Sequence, residues 1–321
     1  MVALGGHAIV PHGAAGTAEE QVATIERAMG GVAALVSEGS DVVVTHGNGP
    51  QVGNLLTKNL LARHVVPAMP LHWCVAQTQA TIGLAMLTAL EARLRAAGIG
   101  RPIVPVLSRV LVRRDDPAWR EPTKPIGRFV TADEAAAAMA DDPAQVWRET
   151  STADGARWRR VVPSPEPIRS LEADTVRMLL DAGAVVIANG GGGVPMVEDD
   201  DGRLVGVDAV VDKDLAAALL AVELGADRLV ILTDVEGVAV NFGGPRQRWL
   251  DGVGTVELRE MAAKGTFGVG SMAPKVEAVL RFVEATGHPA TIGPLERAAD
   301  VLHGRSGTQV TRSNATVGAG R

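Results

Sequence analysis

Asp41-Val42-Val43-Val44-Thr45-His46-Gly47-Asn48-Gly49-Pro50-Gln51 is the stretch that decides the fold class. The β-branched run from Asp41 to Thr45 predicts a short buried strand. His46-Gly47-Asn48-Gly49-Pro50 then reads as a glycine-bearing turn, and Gln51 to Leu61 as the opening of a helix. Strand, Gly-rich turn and helix in that order form the repeating unit of open parallel α/β sheets.

The same unit recurs on both sides. Val2-Ala3-Leu4 reads as the tail of a strand running into Gly5-Gly6. Buried strands usually span about five residues, so either a short strand or an upstream start is expected. Residues 17–38 carry a helix: Thr17 and Glu20 have capping-box spacing, and Ile25, Met29, Val32 and Val36 recur at helical period before Gly39. Further on, the pattern predicts a helix over 76–97, a strand over Ile103–Val112, a helix over 171–182 and a strand over Ala184–Ala188 leading into Gly190-Gly191-Gly192-Gly193. It then predicts a helix over Asp212–Gly225, a strand over Arg228–Leu232, a helix over Val276–Thr286 and sheet closure within 289–311. This predicts an α/β fold, a three-layer αβα sandwich around a mostly parallel open sheet.

Residues 113–165 break the alternation. They hold six of the 18 prolines and three of the five tryptophans. Tryptophans need a surface to pack on, so this stretch predicts a protruding inserted subdomain rather than a linker.

Composition narrows the function classes. The chain has 321 residues, 46% of them hydrophobic, enough for a large core. A net charge of -6 without a basic run speaks against nucleic acid as a partner. No apolar run approaches the ~20 residues of a membrane span, and no signal peptide opens the chain, so no membrane partner and a cytoplasmic location are expected. Cys74 is the lone cysteine, read as a small core residue. His12, His64, His72, His288 and His303 lack metal-ligand spacing.

Three Gly-rich turns at the carboxyl ends of predicted strands point to an anion site. Glycine lets backbone N–H groups approach a ligand, and a following helix start adds favourable potential. No Walker pattern occurs, and Pro195-Met196-Val197 after the glycines does not continue a dinucleotide fingerprint. There are five lysines: Lys58, Lys124, Lys213, Lys264 and Lys275. Lys213 and Lys275 fall at predicted helix starts, a poor place for a cation unless a polyphosphate shares the site. Asp214 is placed to hold an ammonium beside it.

These features together resemble the carbamate kinases of the amino acid kinase family. The motifs are Ala3-Leu4-Gly5-Gly6, His46 to Asn54, Pro122 to Gly127, Arg160 to Pro165, Ala188 to Gly193, Asp212-Lys213-Asp214-Leu215-Ala216 and Gly270 to Lys275, in the family's order over nearly the whole chain. The resemblance implies the amino acid kinase fold and the reaction ATP + carbamate ⇌ ADP + carbamoyl phosphate, with Mg²⁺. It implies a homodimer and a place in arginine metabolism. It implies an acceptor-binding lobe over about 1–180, carrying the flap at about 113–165, and a nucleotide-binding lobe over about 181–321. Gly5, Gly6, Gly47, Asn48 and Gly49, with Gly190 and Gly191, would cradle the acceptor and the moving phosphoryl. Lys213, Lys275 and Asp214 would be catalytic, with Lys124 reaching in from the flap. Thr233, Asp234, Val238, Met272 and Pro274 would border the nucleotide.

The chain departs from the family pattern at three places. His7 stands where the family has Asn, which leaves three readings: a tolerated substitute, a changed acceptor or a weakened activity. Ala239 stands where Tyr is usual, and Val130 where an aromatic is common. Two alternatives to carbamate kinase therefore stay open: the same fold acting on another small carboxylate or phosphonate, and a non-catalytic nucleotide or metabolite sensor.

Overall fold

The computed structural model describes residues 1–5, 9, 16–152, 155–267 and 272–312. The chain opens with β1 (Val2–Leu4), α1 (Ala18–Ser37), β2 (Val43–His46), α2 (Gly49–Ala62), α3 (Leu71–Ala96), β3 (Ile103–Pro105) and β4 (Arg109–Val112). An excursion follows: β5 (Lys124–Val130), α4 (Ala132–Asp141), β6 (Val146–Thr152) and β7 (Gly155–Val162). The chain returns through β8 (Pro167–Ser170), α5 (Ala173–Asp181), β9 (Val185–Ile187), β10 (Val194–Glu198), β11 (Leu204–Gly206), α6 (Lys213–Leu224) and β12 (Leu229–Thr233). It closes with β13 (Ala239–Val240), β14 (Arg248–Trp249), β15 (Gly252–Gly254), α7 (Thr255–Ala263), α8 (Met272–Thr286), β16 (Ala290–Pro294), α9 (Ala298–Leu302) and β17 (Thr308–Thr311).

The central sheet has eight strands in the order β15-β17-β16-β12-β1-β2-β9-β3. All its neighbours pair in parallel except β16 and β17. Side chains alternate across it, as the period of two requires. Val2, Leu4, Val44, Val185, Ile187, Val230 and Leu232 face a core shared with α1, α3 and α9. Ala3, Leu229, Ile231 and Ile292 face the opposite core, with α6, α7 and α8, while Val43 and Val186 meet α5 and Leu220 of α6. This is the predicted three-layer sandwich, and burial on both faces explains why its strands read as continuous apolar runs.

Local signals are realised where they were legible. Thr17 and Glu20 form the capping box of α1. Asp212 caps α6 by accepting from the N–H groups of Asp214 and Leu215, and Gly225 ends that helix in the left-handed region.

Three boundaries differ from the sequence reading. Ile103–Val112 is not one strand. β3 pairs with β9 in the central sheet, whereas β4 belongs to a second sheet ordered β11-β10-β4-β8. The break falls at Ser108, whose N–H donates to Gln79 Oε1 (2.8 Å) and whose Oγ donates to the Val106 carbonyl. Helix α3 starts at Leu71, directly after Pro70. Helix α8 starts at Met272, so Lys275 lies inside its first turn and not before it.

The excursion at 113–165 forms its own small unit, a three-stranded sheet β5-β7-β6 with α4 against it. Cys74 is buried beneath it, among Val52, Leu71 and Ile126. Among the described residues no helix is long and apolar enough to cross a membrane.

Candidate active site

Strands β12, β1, β2 and β9 are adjacent and parallel, so their carboxyl ends open along one edge of the sheet. Thr233 ends β12, and Gly5, Gly47 and the Asn189-Gly190-Gly191 turn lie beyond the ends of β1, β2 and β9, in that spatial order. This is the edge at which open α/β sheets take ligands.

The glycine turns do not all act as the sequence suggested. Gly5 donates its N–H to the Leu232 carbonyl (2.9 Å) and Gly47 to the Leu4 carbonyl (3.1 Å). Both groups continue the parallel ladder and are spent, so as N–H donors to a ligand Gly5 and Gly47 are corrected. What they offer is a bare strand end. The N–H groups of Gly49 and Gln51, in the first turn of α2, have no intrahelical partner, and among the described residues no acceptor takes them. Nothing among the described residues would meet a Cβ at Gly49 within 4 Å. Gly6 and His7 lie outside the described residues.

The turn at Gly190-Gly191 is fitted against β2. Asn48 is buried and donates through Nδ2 to Thr78 Oγ1 (2.9 Å). A Cβ at Gly191 would sit 2.2 Å from that same Nδ2, and Gly191 has φ +66°. Only glycine meets both conditions. Gln79 ties the turn to α3, donating through Nε2 to the carbonyls of Ser108 (2.9 Å) and Gly190 (3.0 Å). Asn189, itself left-handed at φ 53°, donates to Ser170 Oγ (3.1 Å) and the Ala216 carbonyl (3.4 Å), linking the turn to α6.

The charged centre is carried by two helix starts. Asp214 is nearly wholly buried and holds two ammonium groups. It pairs closely with Lys213 through Oδ1, and Lys275 Nζ lies 3.2 Å from Oδ2. Lys124, at the head of β5, reaches across from the inserted unit to Asp212 Oδ2 at 2.6 Å. The structure therefore brings Lys124, Lys213, Asp214 and Lys275 together, with Asp212 as the link that the sequence reading left out of the site. Its signal was present: an acidic residue directly before a helix is a preferred N-cap.

Burial pulls the Lys213 ammonium below the ordinary lysine range; the neighbouring Lys275 charge adds to this and Asp214 opposes it. Burial acts on Lys275 in the same sense, but Asp214 and Asp212 outweigh it and raise that group. Burial alone would raise Asp212, yet Lys124, with help from Lys213, holds its carboxyl well below the ordinary carboxylate range. Three ammonium groups thus converge with Asp212 and Asp214 at one place, an arrangement suited to holding a polyanion.

Thr233 and Asp234 close the site on the β12 side, Thr233 Oγ1 donating to Asp234 Oδ1 (3.1 Å), and the Asp234 charge is felt by Lys275. Met272 and Pro274 are half-buried in the first turn of α8, beside Lys275. Val238 is not brought to this rim. Its side chain lies wholly in the core with Leu250 and Val253, its N–H donates to Thr308 Oγ1 (2.8 Å), and its carbonyl accepts from Leu250.

His46 is a further buried group at this edge. Loss of hydration, with the Lys213 charge adding, brings its pKa down to about 4, against a hydrogen bond from Nδ1 to the Gly47 carbonyl (3.0 Å) that favours the charged form. The folded protein thus keeps this imidazole neutral where an unfolded chain, with a pKa near 6.5, would protonate it. Stability from His46 is present above pH 6.5 and is lost as pH falls from about 6.5 to about 4, by roughly 3 kcal/mol in all. Denaturant titrations across that window are expected to show a steeper acid loss for the parent protein than for His46→Asn. Equal slopes would contradict the neutral buried imidazole.

Comparison with known proteins bears on this geometry. A family model described as the amino acid kinase family matches residues 1–294. The chain is similar to a carbamate kinase from Pyrococcus horikoshii, 42% identical over 313 residues, covering 97% of this chain and 98% of the relative. It is 44% identical over 315 residues to one from Thermococcus kodakarensis, covering 97% of this chain and 98% of the relative. Among solved structures, the carbamate kinase from Giardia lamblia bound to citric acid superposes with a TM-score of 0.90 at 39% identity, covering 97% of each chain. The same enzyme bound to AMP-PNP superposes with a TM-score of 0.88 at 39% identity, again over 97% of each chain.

Proposed function

The chain belongs to the amino acid kinase family and, within it, to the carbamate kinases, and from that membership we propose that it moves a phosphoryl group between ATP and carbamate across the edge formed by β12, β1, β2 and β9. One observation carries the reading: a single buried carboxylate, Asp214, grips two ammonium groups from the first turns of α6 and α8. Lys213 and Lys275 neutralise the migrating phosphoryl. Asp214 holds both ammonium groups in place. The N–H groups at the start of α2 receive phosphoryl or acceptor oxygens. Lys124 brings the inserted unit to the acceptor. Thr233, Asp234, Met272 and Pro274 border the nucleotide.

Phosphoryl transfer asks the protein for in-line placement and for charge where the transition state spreads it. Carbamate arrives with its nucleophilic oxygen already ionised, so the site needs no general base, and His46, with a pKa of about 4, is too weak a base to serve as one. Among the described residues no group of three His, Cys, Asp or Glu is placed to hold a metal. Asp212 and Asp214 are taken up by lysines, so Mg²⁺ fits as a cation carried by the nucleotide phosphates, where it would neutralise charge between them. The lobe division is part of the same proposal: an acceptor lobe over about 1–180, with the flap at about 113–165, and a nucleotide lobe over about 181–321. By residue number β9 falls in the second lobe, yet in the sheet it lies between β2 and β3 of the first. A cytoplasmic homodimer in arginine metabolism is the biological setting that the family likeness supports.

Pure protein with ADP, Mg²⁺ and carbamoyl phosphate is expected to form ATP rapidly. ATP consumption with another small carboxylate, and none formed from carbamoyl phosphate, would move the protein to a different acceptor. Nucleotide binding without turnover would make it a sensor.

A further inference from the structure

A second cleft, of about 610 Å³, lies between α2 and the inserted unit, on the far side of their tightest contact. That contact is at Gly53, where a Cβ would meet the Gly127 main chain at 1.9 Å. The head of α2 and Lys124 lie on the active-site side of it, and the cleft runs along the other half of the helix toward α4. Its size is that of a small-molecule site. Leu60 and Leu61 of α2, Ala138 of α4 and Trp147 of β6 give it apolar walls. Trp147 is fixed by its Nε1 donating to Gln145 Oε1 (3.2 Å).

Charge in the cleft is balanced except at one group. Arg63 forms an ion pair with Asp141 (2.6 Å) and Arg128 with Glu134 (2.8 Å), so those two arginines add no net charge. Arg160 is different. It occupies the central strand β7, directly opposite Ile126 on one side and Trp147 on the other, and all three line the cleft. Among the described residues its Nε is buried with no hydrogen-bond partner. Asp142 and Asp208 act on it only through space. Among the described residues no carboxylate pairs with this cleft-lining guanidinium, and a lone guanidinium beside an indole wall is half of a binding site for a carboxylate.

We propose that this cleft binds a small organic monocarboxylate with an aromatic or branched apolar body, its carboxylate on the Arg160 guanidinium and its body against Trp147 and Leu60. The occupant would span α2 and α4 and so join the main body to the unit that carries Lys124. The site is separate from the phosphoryl edge, and the proposal does not depend on which acceptor that edge uses.

Calorimetric titration of the full chain with phenylacetate and with its neutral analogue phenylacetamide tests this. Phenylacetate is expected to bind saturably at one site and the amide at least about tenfold more weakly, the scale of a charge-assisted hydrogen bond. Arg160→Gln is expected to remove the difference between the two probes. Ala137→Trp, an exposed position on the cleft wall, is expected to weaken both. No saturable binding of phenylacetate, equal binding of the two probes by the parent protein, or binding that Ala137→Trp leaves unchanged overturns the proposal.

Discussion

Lys213→Ala is expected to lower turnover by at least about 10²-fold, the scale for losing one preorganised charge from a phosphoryl or oxyanion site. The loss should appear in kcat with little change in KM for ADP, because the ammonium faces the group in flight and not the bound ground state. Folding should suffer less. With Lys213 gone, Asp214 keeps Lys275 at 3.2 Å and Asp212 keeps Lys124 at 2.6 Å, so no carboxylate is left bare. Turnover near that of the parent, in a variant that still binds ADP, would remove Lys213 from the reaction.

Asp214→Asn should behave in the opposite way, with a large effect on folding as well as on rate. The substitution keeps the shape but strips the shared counter-charge from two ammonium groups that the fold holds together. Removing one partner of a buried pair typically costs about 3–5 kcal/mol, and for a chain of this size that corresponds to a fall in Tm of about 4–7 °C. Turnover should again drop at least about 10²-fold, since neither lysine is held in place. A polyanion can supply the missing charge. Saturating pyrophosphate or ADP is therefore expected to raise the Tm of Asp214→Asn by more than it raises that of the parent. An unchanged Tm, or an equal ligand-induced rise in both proteins, would mean that Asp214 does not organise the lysines.

Much of this architecture could be read from the chain because local rules and tertiary structure agree. The capping box at Thr17 and Glu20, the cap at Asp212 and the stop at Gly225 are each satisfied within a few residues, so spacing alone reports them. The resemblance located Lys213, Asp214 and Lys275, and helix starts placed two of them together. What escaped the sequence depends on partners far away in the chain. Whether Gly5 and Gly47 keep their N–H groups for a ligand depends on the register of β12, β1 and β2, which hydropathy does not encode. Ile103–Val112 is apolar except at Ser108-Arg109, and that polar pair reads equally as half-buried positions of one strand, so the pattern does not separate a strand of one sheet from a strand of another. The divider is Gln79, 29 residues upstream, which turns the backbone at Ser108. Gln79 and Ser108 position the glycine turn with Asn189, yet as polar residues in apolar surroundings those two carry no motif of their own. The resemblance implies Val238 as a neighbour of the nucleotide, but its side chain lies in the core.

The account stands most directly on where the moving group lies. A crystal structure of the protein with ADP, Mg²⁺ and an aluminium fluoride mimic of the phosphoryl group would show it. The mimic is predicted at the carboxyl edge of β1 and β2, with Lys213 Nζ and Lys275 Nζ each within about 3.2 Å of its ligand atoms and the first turn of α2 facing it. A mimic out of reach of either ammonium group, or seated at another edge of the sheet, would contradict it.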